Sequence, residues 1–200
     1  MKKILVMTAI AVFGMVSAQK NSLLVGGNIG YSNNNNKFMG DKVSSTEAFT
    51  FTPTVGYQFH KNWTIGINSV ITSGKQEEVF NNNPATLKTN EFAIGPFVRY
   101  AVPLGDIFAV YGDLGAGYQN QNMKTTTLGS TSEVKSNGFY TSFTPALFIN
   151  FKNGFGLNFN IGGIKYSHLK ADSIDATSSN FNLSFGKEVG VGISKNFGLK

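Results

Sequence analysis

Between Phe49 and His60 the chain reads FTFTPTVGYQFH, with Phe49, Phe51, Pro53, Val55, Tyr57 and Phe59 alternating with Thr50, Thr52, Thr54, Gly56, Gln58 and His60. Side chains on a strand point to alternate faces, so the pattern predicts a strand with one apolar face and one polar or small face. The polar face holds hydroxyls, an amide and a glycine but no carboxylate or lysine, unlike the charged surface of a water-exposed sheet. The apolar face begins at Phe49 and ends at Phe59. At ~3.3 Å per residue and a tilt of ~40° that distance is ~25 Å, the height of the lipid-facing band of a membrane β-barrel.

Seven further segments repeat the design. Candidate lipid faces are Leu23 to Tyr31 near Ser22–Ser32, Trp63 to Ile71, Phe92 to Val102 within Asn90–Val102, Phe108 to Tyr118, Phe139 to Phe151, Phe155 to Ile161, and Val189 to Phe197. Short turns at His60-Lys61-Asn62, Pro103-Leu104-Gly105-Asp106 and Lys152-Asn153-Gly154 alternate with four longer polar stretches. Those stretches hold Asn33–Asn36, Asn81-Asn82-Asn83-Pro84, Asn120–Asn137 and Ser167–Asn180, and they are expected to be loops. The pattern predicts an all-β fold, an eight-stranded antiparallel up-and-down transmembrane β-barrel with both termini on the short-turn side. One hairpin of roughly 45 residues forms the repeating unit. Pro53, Pro96 and Pro145 each stand seven residues before the first residue of a short turn. Each removes a ladder hydrogen bond, so a bulge or local distortion is expected there.

Composition narrows the setting. Charged residues make up 14% of the chain, against 23 glycines and 18 phenylalanines. A soluble eight-stranded barrel of the lipocalin kind turns its apolar face inward and needs a charged exterior; the leftover face here is mostly Gly, Ser, Thr and Asn. Met1-Lys2-Lys3, the apolar run Ile4–Val16 and Ser17-Ala18 before Gln19 read as a secretory signal peptide over residues 1–18, leaving a barrel domain over 19–200. Net charge is +6, or +4 without Lys2 and Lys3, and Arg99 is the single arginine. The basic residues do not cluster, so no nucleic-acid partner is expected. No cysteine is present, so the fold carries no disulfide.

FTPTVGYQF, IGPFVRYAV and FTPALFINF, with glycine-rich partners such as YGDLGAGY, resemble the small outer-membrane β-barrel proteins of the OmpA-transmembrane and OmpX type, most closely their single-domain flavobacterial members. The resemblance covers essentially the whole mature chain and implies a bacterial outer-membrane location. It implies outer-membrane lipids, lipopolysaccharide and the barrel-assembly machinery as partners, with no cofactor and no enzymatic activity. The terminal strand, with Val189, Val191, Ile193 and Phe197, resembles the signal that the assembly machinery reads. Gly198-Leu199-Lys200 follow the aromatic on which many members end.

Four ionisable residues fall on the interior parity: Glu91, Arg99, Asp113 and Glu188. The hairpin at Pro103–Asp106 sets Arg99 diagonally across from Asp113, within ion-pair reach. The resemblance implies that such charges can plug or gate a lumen; the plainer reading is a polar core, since eight strands enclose just enough room for side chains. His60 and His168 are expected in a turn and a loop, without the convergent ligands of a metal site. Of the serines, only Ser167 adjoins a histidine, on the opposite face. Two functions follow as expectations. One is a structural or interaction role through the outer loops. The other is a narrow channel for ions or very small solutes, favoured by interior glycines such as Gly56, Gly66, Gly95 and Gly117.

Overall fold

A computed structural model describes residues 21–38, 41–80 and 83–198. The expected leader, residues 1–18, lies outside them. Eight antiparallel strands, β1(Ser22–Phe38), β2(Asp41–Gln58), β3(Trp63–Phe80), β4(Asn83–Leu104), β5(Phe108–Thr127), β6(Ser130–Lys152), β7(Phe155–Ala171) and β8(Thr177–Gly198), pair in chain order and close into a barrel.

The alternation read from the sequence has a direct physical consequence. Phe49, Phe51, Val55 and Tyr57 of β2, and Ile65, Ile67 and Ile71 of β3, lie exposed on the outer wall. Small or polar residues between them line the interior. Two aromatic belts bound this wall, as the membrane interfaces require. Near the short turns Trp63 packs on Tyr100 with ring centres 4.7 Å apart. At the other edge Phe139 lies between Tyr166, at 6.1 Å, and His168, at 5.6 Å.

The three short turns fall where expected, but the expected long loops are largely strand. β5 and β6 stay paired from Tyr118↔Phe139 up to Thr127↔Ser130. β7 and β8 stay paired up to Lys170↔Thr177, leaving residues 172–176 between them. Above the bilayer both faces meet water, so Thr, Ser, Asn and Lys can continue a ladder without apolar alternation. The hydrophobic pattern ends there, whereas the hydrogen bonding does not.

Each of the three prolines interrupts the ladder on one side. Pairing skips from Phe51↔Ile71 to Thr54↔Asn68 at Pro53, and from Ile94↔Tyr118 to Phe97↔Gly115 at Pro96, with the register unchanged. At Pro145 the register shifts, so a true bulge forms only there. Across from it Gly162 takes φ 102°, and beyond this point the outward residues of β7 become Ile164, Tyr166 and His168. That one-residue bulge reverses the faces of the upper strand.

Candidate functional site

The lumen is crossed by two polar layers. In the lower one, Arg99 and Asp113 stand directly opposite each other on β4 and β5, rather than diagonally. Arg99 donates from Nε to Asp113 Oδ1 at 2.7 Å and from Nη2 to Oδ2 at 2.8 Å. This two-pronged geometry is the strongest form of the pair. The guanidinium also lies 3.8 Å from the centre of the Tyr111 ring. The Tyr111 hydroxyl donates to Asn158 Oδ1 at 3.0 Å, and Asn158 Nδ2 donates to Ser194 Oγ at 2.9 Å. One connected network thus runs from β4 to β8. Phe97, Leu24 and Ala146 are buried and fill apolar space around it.

The upper layer joins strands that are distant in sequence. Lys165 Nζ donates to Glu91 Oε1 at 3.2 Å, and the Tyr140 hydroxyl donates to Asn68 Oδ1 at 3.2 Å. A cavity of about 400 Å³ touches both layers, including Arg99, Asp113, Tyr140 and Lys165. A second space, of about 20 Å³, lies against Leu24, Asn158 and Ser194 and shares Arg99 and Tyr111 with the first. A volume that small holds about one water. The lower layer therefore separates a roomy upper lumen from a nearly filled lower one.

The interior glycines were expected to leave room for water. At Gly56 and Gly66 the room is shared by Phe97 and nearer neighbours: an added Cβ would come within 2.9 Å of Thr64 Cγ2 and 3.2 Å of Phe97 at Gly56, and within 2.3 Å of the Val55 carbonyl oxygen and 2.6 Å of Phe97 at Gly66. At Gly95 and Gly117 it is taken by backbone, because β4 and β5 approach so closely that a Cβ would sit 2.1 and 2.2 Å from carbonyl oxygens.

Of the four interior charges expected, Arg99 and Asp113 meet, and Glu91 joins Lys165 instead. The side chain of Glu188 lies outside the described residues. Lys165 was missed because its odd number continues the lipid-facing series Phe155, Leu157, Phe159 and Ile161; the bulge at Gly162 turns it inward. The continued β7–β8 ladder corrects the reading of His168. It lies within β7 rather than in a loop, and its Nδ1 shares a hydrogen bond of 2.9 Å with Ser179 Oγ on β8. A histidine and a serine are thus neighbours at one depth, on the aromatic belt. Asp172 accepts a hydrogen bond from Asn137 at 2.7 Å, and Asp175 lies 3.9 Å from Lys170.

Residues 5–186 match the family described as outer membrane protein beta-barrel domain. The chain belongs to that family. It is a protein of the bacterial outer membrane, and the exposed apolar wall between two aromatic belts is its lipid contact. No curated protein sequence matches it. Among solved structures, Neisserial surface protein A is similar over 88% of this chain and 97% of its own length, with 14% identity and a TM-score of 0.50. OprG from Pseudomonas aeruginosa is similar over 90% and 98%, with 12% identity and a TM-score of 0.50. Ail, the attachment invasion locus protein of Yersinia pestis, is similar over 87% and 99%, with 18% identity and a TM-score of 0.42. At these identities the likeness to solved structures is one of fold.

Proposed function

We propose that this family member acts as a non-enzymatic interaction protein, presenting strand-built hairpins outside the cell above a lumen closed to ions. One observation carries the reading: the hairpins extend far beyond the upper belt, while the Arg99–Asp113–Tyr111 layer blocks the path below. From Gln119↔Gly138 to Thr127↔Ser130, β5 and β6 add nine pairs above the Tyr118–Phe139 level. At ~3.3 Å per residue and a tilt of ~40°, this lifts the tip roughly 20 Å beyond the bilayer. The surface there is hydroxyl-rich and mixed in charge, with Lys124 and Lys135 on either side of Glu133 at 3.2 and 3.8 Å. Such a surface is soluble and offers many hydrogen-bonding groups to a partner.

The competing reading is a narrow channel, supported by the cavity above the charged layer. Planar-bilayer conductance of the refolded chain separates the two. The closed reading expects silence from the wild-type barrel and discrete openings only when Arg99 and Tyr111 are both cut to alanine. Steady openings in the wild type would replace it with the channel.

A further inference from the structure

The seam that closes the barrel is paired only in its lower part. β1 and β8 are hydrogen-bonded from Ser22↔Gly198 to Ile29↔Val191. Above Ile29, among the described residues, β1 continues its ladder with β2 and β8 continues with β7, but not with each other. β8 carries extra residues against β7 at this point. Between Asn160↔Gly190 and Gly162↔Phe185, two residue steps along β7 accompany five along β8, and Gly186 takes φ 71°.

The parting lies at membrane depth. Tyr31 pairs with Phe49 at the top of the band, and Phe181 pairs with Tyr166 of the upper belt. Leu183 and Phe185, below Phe181, are exposed on the outer wall. Unpaired backbone N–H and C=O groups are costly in hydrocarbon, so an open seam there calls for a polar neighbour. The large cavity supplies one. It reaches Asn28 and Gly30 on one side of the seam, and Asn182, Ser184 and Gly190 on the other. Its two cations are already matched, Lys165 by Glu91 and Arg99 by Asp113. Among the described side chains that line it, what remains near the seam is uncharged and hydrogen-bonding. On the closed-lumen reading proposed above, the lower layer forms the floor, and the space is then a side pocket and not a passage.

We propose that the parted seam is a lateral opening through which a single-chain amphiphile from the outer leaflet seats a neutral or zwitterionic head in the lumen cavity. Its chain would stay between β1 and β8, beside Tyr31, Leu183 and Phe185. Within the band the unpaired edge of β1 runs only from Ile29 to Tyr31, a rise of ~7 Å, and a single chain is the occupant we assign to so short an edge. The matched charges of the described lining select against a head of net charge. This inference is independent of any role for the hairpins.

Trp63 is the sole tryptophan, so a Trp63→Phe background is silent. On it, Ser184→Trp reports from the cavity wall beside the seam, and Ser142→Trp from the same cavity two strands away. The probe is lysophosphatidylcholine, brominated near its head and added to phosphatidylcholine proteoliposomes. Saturable quenching, at least threefold stronger at Ser184→Trp than at Ser142→Trp, is expected. A Gly30→Cys and Gly190→Cys pair, where an added Cβ meets nothing nearer than 3.8 and 3.5 Å, can lock the seam by oxidation in an otherwise cysteine-free chain. Locking should abolish the quenching, and reduction should restore it. Gly30→Phe, which fills the gap from one strand, should lower it without any disulfide. Equal quenching at both reporters, or quenching that survives both blocks, would overturn the lateral route. No quenching in a barrel with normal heat-modifiable migration would overturn the site.

Discussion

The paired side chains Arg99 and Asp113 retain 13% and 19% exposure, too little for water to screen either charge fully. Removing one partner strands the other in the lumen, a change that typically costs about 3–5 kcal/mol, whereas replacing both by apolar groups of similar volume is often near neutral. Arg99→Leu and Asp113→Leu should therefore each lower the urea midpoint of the refolded barrel markedly, and the double variant should recover most of the loss. Equal loss in all three would mean that the pair contributes through packing alone. Glu133, outside the bilayer, responds to pH. The Asn122 amide, donating at 2.8 Å, and then Lys124 hold its pKa below the ordinary 4.5. A carboxylate lowered on folding stabilises the fold above its unfolded pKa, and that contribution fades as pH falls through the folded value. Amide protection at the β5–β6 tip, taken relative to the intrinsic exchange rate at each pH, should fall as the pH drops below about 4.5, and Glu133→Gln should flatten the response. Arg99 and Asp113 were legible in the sequence because the β4–β5 register is unbroken and keeps their parity. Lys165 was not, since a single extra residue at Gly162 reverses its face, and hydrophobic alternation carries no sign of where a ladder slips.

At the scale of the strand, the lipid-facing half was legible and the outer half was not. Alternation is imposed by lipid on one side, so it marks β2 from Phe49 to Tyr57 and falls silent from Asp41 to Ala48, which is equally strand. The prolines gave a fair account of ladder breaks because a missing N–H is a local property. Whether the register also shifts depends on the neighbour, and only Pro145 faces a strand that takes up an extra residue. The glycines show how tightly β4 and β5 approach. Gly95→Ala would push a methyl to 2.1 Å from the Ala116 carbonyl oxygen, so the strands must separate, while at Gly74 the nearest atom is 3.6 Å away. Gly95→Ala should destabilise the barrel by about 1–3 kcal/mol, and Gly74→Ala should stay within about 0.5 kcal/mol. Guanidinium unfolding in detergent micelles, followed by tryptophan emission, measures both; equal midpoints would contradict the close approach.

For the whole molecule, antiparallel pairing in chain order commits every second connection to the same side of the membrane. Lys61, in the β2–β3 turn below the Trp63–Tyr100 belt, and Ser130, at the tip of the β5–β6 hairpin, therefore belong to opposite compartments. Lys75, also above the band, has its pKa raised by a hydrogen bond from its ammonium to Glu77, and the ladder there continues through charged residues that hydrocarbon would not accept. These charges orient the barrel, because only the hairpin side rises far enough to hold them in water. The chain lacks cysteine, so single substitutions report topology without background. On intact cells, Ser130→Cys should react with a membrane-impermeant maleimide, and Lys61→Cys should react only after the outer membrane is permeabilised. The reverse order would invert the barrel and place the hairpins in the periplasm. It would then remove the exterior surface on which the interaction role rests, while leaving the closed lumen as it is.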